Sequence, residues 1–181
     1  MPRFVVLLRG VNVGKGNRVP MADFRRLLEA QGYTEVQTLL NSGNAVFGSA
    51  GRSAAVHARH IADSLQRHLS LNIQVVVKSS AEFLAAVAQN SLSPGESEHS
   101  RILAVFSQER QALRALSALQ HLVRPNERFV IGSQAAYLHC AGGILKSKAA
   151  TAILGKAGRS VTTRNWATVL KLKALLLGGV A

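Results

Sequence analysis

Val36-Gln37-Thr38-Leu39-Leu40-Asn41-Ser42-Gly43-Asn44-Ala45-Val46-Phe47 decides the fold. Two apolar, strand-like runs, Val36–Leu40 and Ala45–Phe47, flank four residues rich in Asn and Gly. Asn and Gly tolerate positive φ, so the middle reads as a tight turn and the whole as a β-hairpin. Upstream, Phe4–Leu8 is a short β-rich apolar run that reads as a buried strand. A polar, glycine-rich loop, Arg9–Arg18, leads to Pro20, which suits a helix start. Phe24, Leu27 and Leu28 recur at helical spacing, and Gly32 ends that helix. Downstream, Ser53 opens a helix with a buried stripe of Ala54, Ala58, Ile61, Leu65 and Leu69. Ile73–Val77 is a strand, and Ser79 with Glu82 has capping-box spacing ahead of a helix carrying Phe83 and Val87.

Ser91–Glu98 is polar and rich in breakers, and is the candidate linker. The pattern then restarts. Ile102–Phe106 is a strand, and Leu113, Leu116 and Leu119 mark a helix. Phe129–Ile131 and Ala136–Leu138 are strands, a helix follows Gly142-Gly143 to about Gly155, and a weak strand lies near Ser160–Thr162. The final helix is expected from about Thr163, burying Trp166, Val169 and Leu170. Each half reads β-α-β-β-α-β followed by a helix. The expected class is α+β with duplicated ferredoxin-like halves, antiparallel sheets with helices on one face. The expected halves are residues 1–90 and 101–181, joined by 91–100; the alternative is one continuous mixed α+β domain.

The 181 residues are 48% hydrophobic and 17% charged, which supports a folded core rather than global disorder. No apolar run reaches the roughly 20 residues of a membrane-spanning helix, and Met1-Pro2-Arg3-Phe4 lacks the pattern of a signal peptide. A single cysteine, Cys140, excludes an internal disulfide framework and a cysteine-based zinc finger. The expected location is the cytoplasm, with no membrane association. Lys and Arg total 22 against 9 Asp and Glu, a formal net charge of +13. Glu127 is the last acidic residue, and eight Lys and Arg follow it. Such a field attracts anions, whether phosphate, nucleic acid or acidic headgroups. General solubility accounts for the same charge.

Two stretches carry a resemblance. The first runs Leu8-Arg9-Gly10-Val11-Asn12-Val13-Gly14, then Asn17-Arg18-Val19-Pro20-Met21-Ala22-Asp23, then Asn41-Ser42-Gly43-Asn44-Ala45-Val46-Phe47. The second is Lys146-Ser147-Lys148 followed by Thr162-Thr163-Arg164-Asn165-Trp166-Ala167-Thr168-Val169. Together they resemble the bacterial family called domain of unknown function 1697. That resemblance implies two ferredoxin-like α+β halves and no settled reaction.

Gly10–Lys15 reads G-x-x-x-G-K, one residue short of a phosphate-binding P-loop and followed by Gly16. A strand, glycine loop and helix start can still hold an anion through backbone N–H groups. The competing reading is a structural loop tied down by Asn12 and Asn17. Lys146-Ser147-Lys148 invites the same two readings, with Ser147 as a helix cap. Arg164, placed in the first turn of the last helix, opposes the helix dipole and so points to an anionic partner. His57, His60 and His68 share a helical face with Ser64 and read as a solvated face. His139 and Cys140 point to opposite faces of a strand, a poor nucleophile–base pair, and Cys140 reads as a buried structural thiol.

Chain direction places Arg9–Asn17 beside Asn41–Asn44 at one end of the first half. It likewise places Cys140–Ser147 beside Thr163–Asn165 in the second. The candidate ligand-binding residues are Arg9, Asn12, Lys15, Asn17, Ser42, Asn44, Lys146, Ser147, Lys148, Thr163, Arg164 and Asn165. No metal, cofactor or catalytic residue is identified. The leading expectation is a phosphorylated or other anionic small ligand, or a nucleic-acid backbone. Aromatic residues are only 5%, which disfavours base stacking. The alternatives are an enzyme acting on a phosphorylated metabolite and an interaction module pairing through sheet edges.

Overall fold

A computed structural model describes residues 1–92 and 95–179. The hairpin is present: β2 (Thr34–Leu39) and β3 (Asn44–Gly48) pair antiparallel around Asn41–Gly43. They join β1 (Arg3–Leu8) and β4 (Val75–Ser79) in the order β2-β3-β1-β4. Helices α1 (Met21–Ala30) and α2 (Ala54–Leu69) connect these strands, and α3 (Ser80–Ala88) follows them. The second sheet contains β5 (Ile102–Ser107), β6 (Arg128–Ile131), β7 (Ala136–His139) and β8 (Val161–Asn165), ordered β6-β7-β5-β8. Its helices are α4 (Arg110–Ala115), α5 (Lys148–Leu154) and α6 (Trp166–Leu176). All pairings within both sheets are antiparallel. The protein is therefore mixed α+β with two four-stranded antiparallel sheets, and the element order recurs in equivalent positions of each.

Strand parity builds both cores. Phe4, Val6 and Leu8 point to one face of the first sheet and pack with Phe24, Leu28, Ile61 and Leu65 from α1 and α2. Leu103, Val105 and Leu138 do the same with Leu113 of α4 and Ala150 and Ile153 of α5. The remaining face is not open, because Val5, Leu7, Ala104 and Tyr137 are also fully buried. Helices on one face therefore account for only half of each sheet. On the second face Arg3 Nη1 donates 2.6 Å to the Leu176 carbonyl of α6, and the Tyr137 hydroxyl donates to the Ala86 carbonyl of α3. An unbroken apolar strand such as Phe4–Leu8 needs cover on both sides.

Two compact units follow from this: Met1–Phe83 with the stretch from Leu172, and Leu84–Lys171. Segment 91–100 falls within the second unit, where Glu96–Arg101 forms a 3-10 helix; Ser93 and Pro94 lie outside the described residues. Helix starts follow local chemistry. The Ser53 hydroxyl accepts from Val56 N, and Ser79 and Glu82 close a reciprocal capping box at 2.8 and 3.3 Å. No helix among the described residues is long and apolar enough to cross a membrane.

Candidate functional site

At the end of β1 the chain is clamped from both sides. Leu8 N donates to the Gly43 carbonyl at 2.8 Å, and Arg9 N to the Gln74 carbonyl at 3.0 Å. Val11 and Val19 then plug into the core, so the lobe between them stands away from the sheet. Its backbone is left-handed at alternate residues Gly10, Asn12 and Gly14. Asn12 is the fastener. Its Nδ2 donates to the Val19 carbonyl at 2.8 Å and the Asn41 carbonyl at 2.7 Å, while Oδ1 accepts from Val19 N at 2.9 Å. One amide thus closes the lobe and ties it to the hairpin turn.

The turn has its own constraint. A Cβ at Gly43 would sit 2.6 Å from Leu8 Cβ and 2.6 Å from Val11 Cγ2, at a φ of +76°. Asn44 is fully buried, and its Nδ2 donates to the Leu39 carbonyl and to Ser42 Oγ. The rim expected from chain direction is thus assembled, and its parts divide by role. Asn12 and Asn44 hold the loops. Asn17 lends its carbonyl to Asn12 N at 2.7 Å and is exposed, as is Lys15. Arg9 is half-buried, and that burial lowers its pKa. Ser42 is half-buried. The Asn41 carbonyl and the close approach at Gly43 were missed in sequence, where both residues read simply as turn formers.

The second motif divides differently. Ile102 pairs with His139 and Leu103 with Asn165, so β7 and β8 leave the sheet at the same end. Strand β8 continues through Asn165, however, and α6 begins at Trp166. Arg164 is therefore a strand residue, not part of the first turn of a helix, and the dipole conflict does not arise. It sits opposite Ala104, in the row of Tyr137, on the face away from α5. Only 7% exposed, it donates Nη1 to Thr162 Oγ1 at 2.9 Å and to the Thr163 carbonyl at 2.7 Å. Burial pushes its pKa down to about 10. Glu127 accepts from Arg124 N. Asn165 caps α6, its Oδ1 accepting from Thr168 N at 2.9 Å. Thr163 is half-buried within β8.

Ser147 is 1% exposed and caps α5, accepting from Ala150 N at 3.1 Å. Lys146 and Lys148 are exposed beside an open concavity of about 370 Å³. Parity thus separates Arg164 from the lysines instead of bringing them together. Cys140 is buried, and that burial, with the Glu127 charge, raises its thiol to about 11 against a hydrogen bond from Ser147.

The histidine stripe is not a uniformly solvated face. His60 and His68 are exposed, but His57 is completely buried and Ser64 nearly so. His57 Nδ1 lies 3.1 Å from the Tyr33 hydroxyl, and its ring meets Phe4, Phe47 and Tyr33 edge-on. Among the described residues no group of three or more His, Cys, Asp or Glu is placed to hold a metal ion.

In fold, the chain is similar to a solved structure described as the conserved bacterial protein SP0830 from Streptococcus pneumoniae. The TM-score is 0.79 at 24% sequence identity, covering 98% of this chain and 99% of that one. No curated protein matches. The model of the family described as Protein of unknown function (DUF1697) matches residues 1–137, which include the whole first rim and stop short of Lys146. The chain belongs to the DUF1697 family.

Proposed function

We propose that the protein binds a phosphorylated or other small anionic ligand at the rim formed by Arg9–Asn17 and Asn41–Asn44, on a pair of ferredoxin-like halves. The strands of the two halves fall within residues 1–90 and 101–181, and the setting is the bacterial cytoplasm. The observation that carries the reading is the Asn12 amide, bonded to the Asn41 carbonyl at 2.7 Å. It holds two polar loops at one rim with alternating left-handed backbone, a conformation that turns N–H groups into an anion-binding concavity. Arg9 and Lys15 supply charge; Asn17 and Ser42 supply directional bonds.

Titration with inorganic pyrophosphate, followed by amide NMR, tests this. Saturable shifts are expected at Gly10–Asn17, weakened about tenfold in Lys15→Ala, the scale of one charge-assisted hydrogen bond. Shifts that do not saturate, or that spare this loop, reject the rim.

A second reading, a nucleic-acid backbone, is favoured by the cations of the second unit. Lys146, Lys148, Lys156, Arg159 and Lys171 are exposed, and none pairs with a carboxylate among the described residues. Binding of this kind is indifferent to sequence and falls steeply with salt. Anisotropy across a salt series checks it. Replacing Lys146 and Lys148 together with Ala should flatten the log–log slope by about two phosphate contacts. The absence of binding at low salt ends this reading.

A further inference from the structure

Helices α1 and α2 run side by side over the first sheet and leave a groove of about 340 Å³ between them, away from the rim. That volume is at the lower end for small-molecule sites, which span roughly 300–1,000 Å³. Its floor is apolar: Leu27, Leu69 and the exposed Ala30 line it, together with the 3% exposed Ser64. Its mouth is basic. Asp23 is engaged by Arg26 three residues along α1, so that pair is neutral. Arg67 has no carboxylate partner among the described residues. Its Nε donates to the Asp63 carbonyl of its own helix at 3.3 Å, leaving its terminal amino groups for an acceptor. The His68 imidazole stands beside it on the same lining. An apolar floor under one uncompensated cation is complementary to an apolar body with one negative head.

We propose that the groove between α1 and α2 binds a small amphiphilic carboxylate, its hydrocarbon part on Leu27, Ala30 and Leu69 and its carboxylate on Arg67 and His68. A phosphate lacking an apolar body finds no floor to desolvate here. A neutral alcohol finds the floor but no partner for Arg67. The ligand class therefore differs from that of the rim, and the two sites stand or fall separately.

Octanoate and octanol are the probes, each titrated into the whole protein at pH 7 with amide shifts recorded along α1 and α2. Octanoate should produce saturable shifts at Leu27, Ala30, Ser64 and Leu69 and bind about tenfold more tightly than octanol, the scale of a charge-assisted bond. Arg67→Gln should bring octanoate down to the affinity of octanol. Ala30→Trp, at an exposed helix position, should fill the groove and abolish both without changing Tm by more than a few degrees. Equal affinities for the two probes overturn the proposal, as do octanoate shifts that survive Ala30→Trp. Shifts along both helices that depend on protein concentration and ignore octanoate overturn it too, and assign the groove to a second copy of the chain.

Discussion

The two units share an element order and a strand order, yet they use their polar residues in opposite ways. In the first, polar side chains join loops: Asn12 reaches Asn41, and Asn44 reaches Leu39 and Ser42. In the second, the corresponding motif is taken up by the framework. Ser147 and Asn165 cap helices, and Arg164 is buried in a strand with its guanidinium on Thr162 and Thr163. A motif dense in Asn, Ser, Thr and Arg is thus no guide to a site until its parity is known. One residue of strand phase moves a side chain across the full thickness of the sheet.

The largest effect should come from breaking the first rim at Gly43. Gly43→Ala places a methyl 2.6 Å from both Leu8 Cβ and Val11 Cγ2 and forces φ +76° on an L residue. The backbone conformation costs about 1 kcal/mol and the overlap about 2 kcal/mol more. Gly51 separates the two contributions, since it has the same φ of +76° with nothing within 4 Å of its Cβ. Gly51→Ala should cost only about 1 kcal/mol in urea unfolding. Equal losses in the two variants would show that the Leu8–Val11 contact does not constrain the turn.

Next in size is Arg164→Ala. The side chain is 7% exposed and hydrogen-bonded within β8, so truncation removes the bonds to Thr162 and Thr163 and opens a gap beside Ala104 and Tyr137. A loss of about 2–3 kcal/mol is expected by equilibrium unfolding. Arg164→Met retains most of the stem volume and should recover part of it. The shift in Tm caused by phosphate should be the same in Arg164→Ala as in the unmodified protein, because α5 and its lysines lie on the other face. A variant as stable as the parent, but blind to phosphate, restores Arg164 to an anion site.

Most of the framework was legible because hydrophobic period and turn chemistry agreed. Val36–Phe47 reads as a hairpin, and Ser79 with Glu82 as a helix start. Convergence of Arg9–Asn17 on Asn41–Asn44 followed from chain direction alone. Three features were hidden for physical reasons. Thr162-Thr163-Arg164-Asn165 lacks the apolar alternation of a strand, so β8 read as shorter than it is and α6 as starting early. His57 reads as solvated because a polar residue type carries no sign of burial; its ring lies among Phe4, Phe47 and Tyr33, and contacts between distant segments have no local signal. Partners on the second face of each sheet come from far along the chain: the Leu176 carbonyl accepts from Arg3 and the Ala86 carbonyl from Tyr137.

The smallest effect sharpens the contrast through pH. His57 of the first unit is buried with no hydrogen-bond partner on Nε2 among the described residues, and burial, with Arg52 and His60 nearby, holds its pKa below the usual 6.5. The unfolded chain therefore takes up a proton near 6.5 that the folded chain refuses. The contribution of His57 is complete above that pH and is lost as pH falls below it. The second unit carries instead Glu98, which bonds His139 Nε2 at 2.9 Å and Arg101 at 3.2 Å. Those bonds, the one to His139 foremost, hold Glu98 below its usual 4.5, so its contribution is complete above 4.5 and lost only in stronger acid. Acidification from about pH 7 to pH 5 should thus lower amide protection factors in the first unit before the second. His57→Phe keeps an aromatic ring against Phe4 and Phe47 and removes the titrating group. It should flatten the first unit's response over that range and leave the second unit's profile unchanged. A first unit that still loses protection in His57→Phe would trace the acid response to another group.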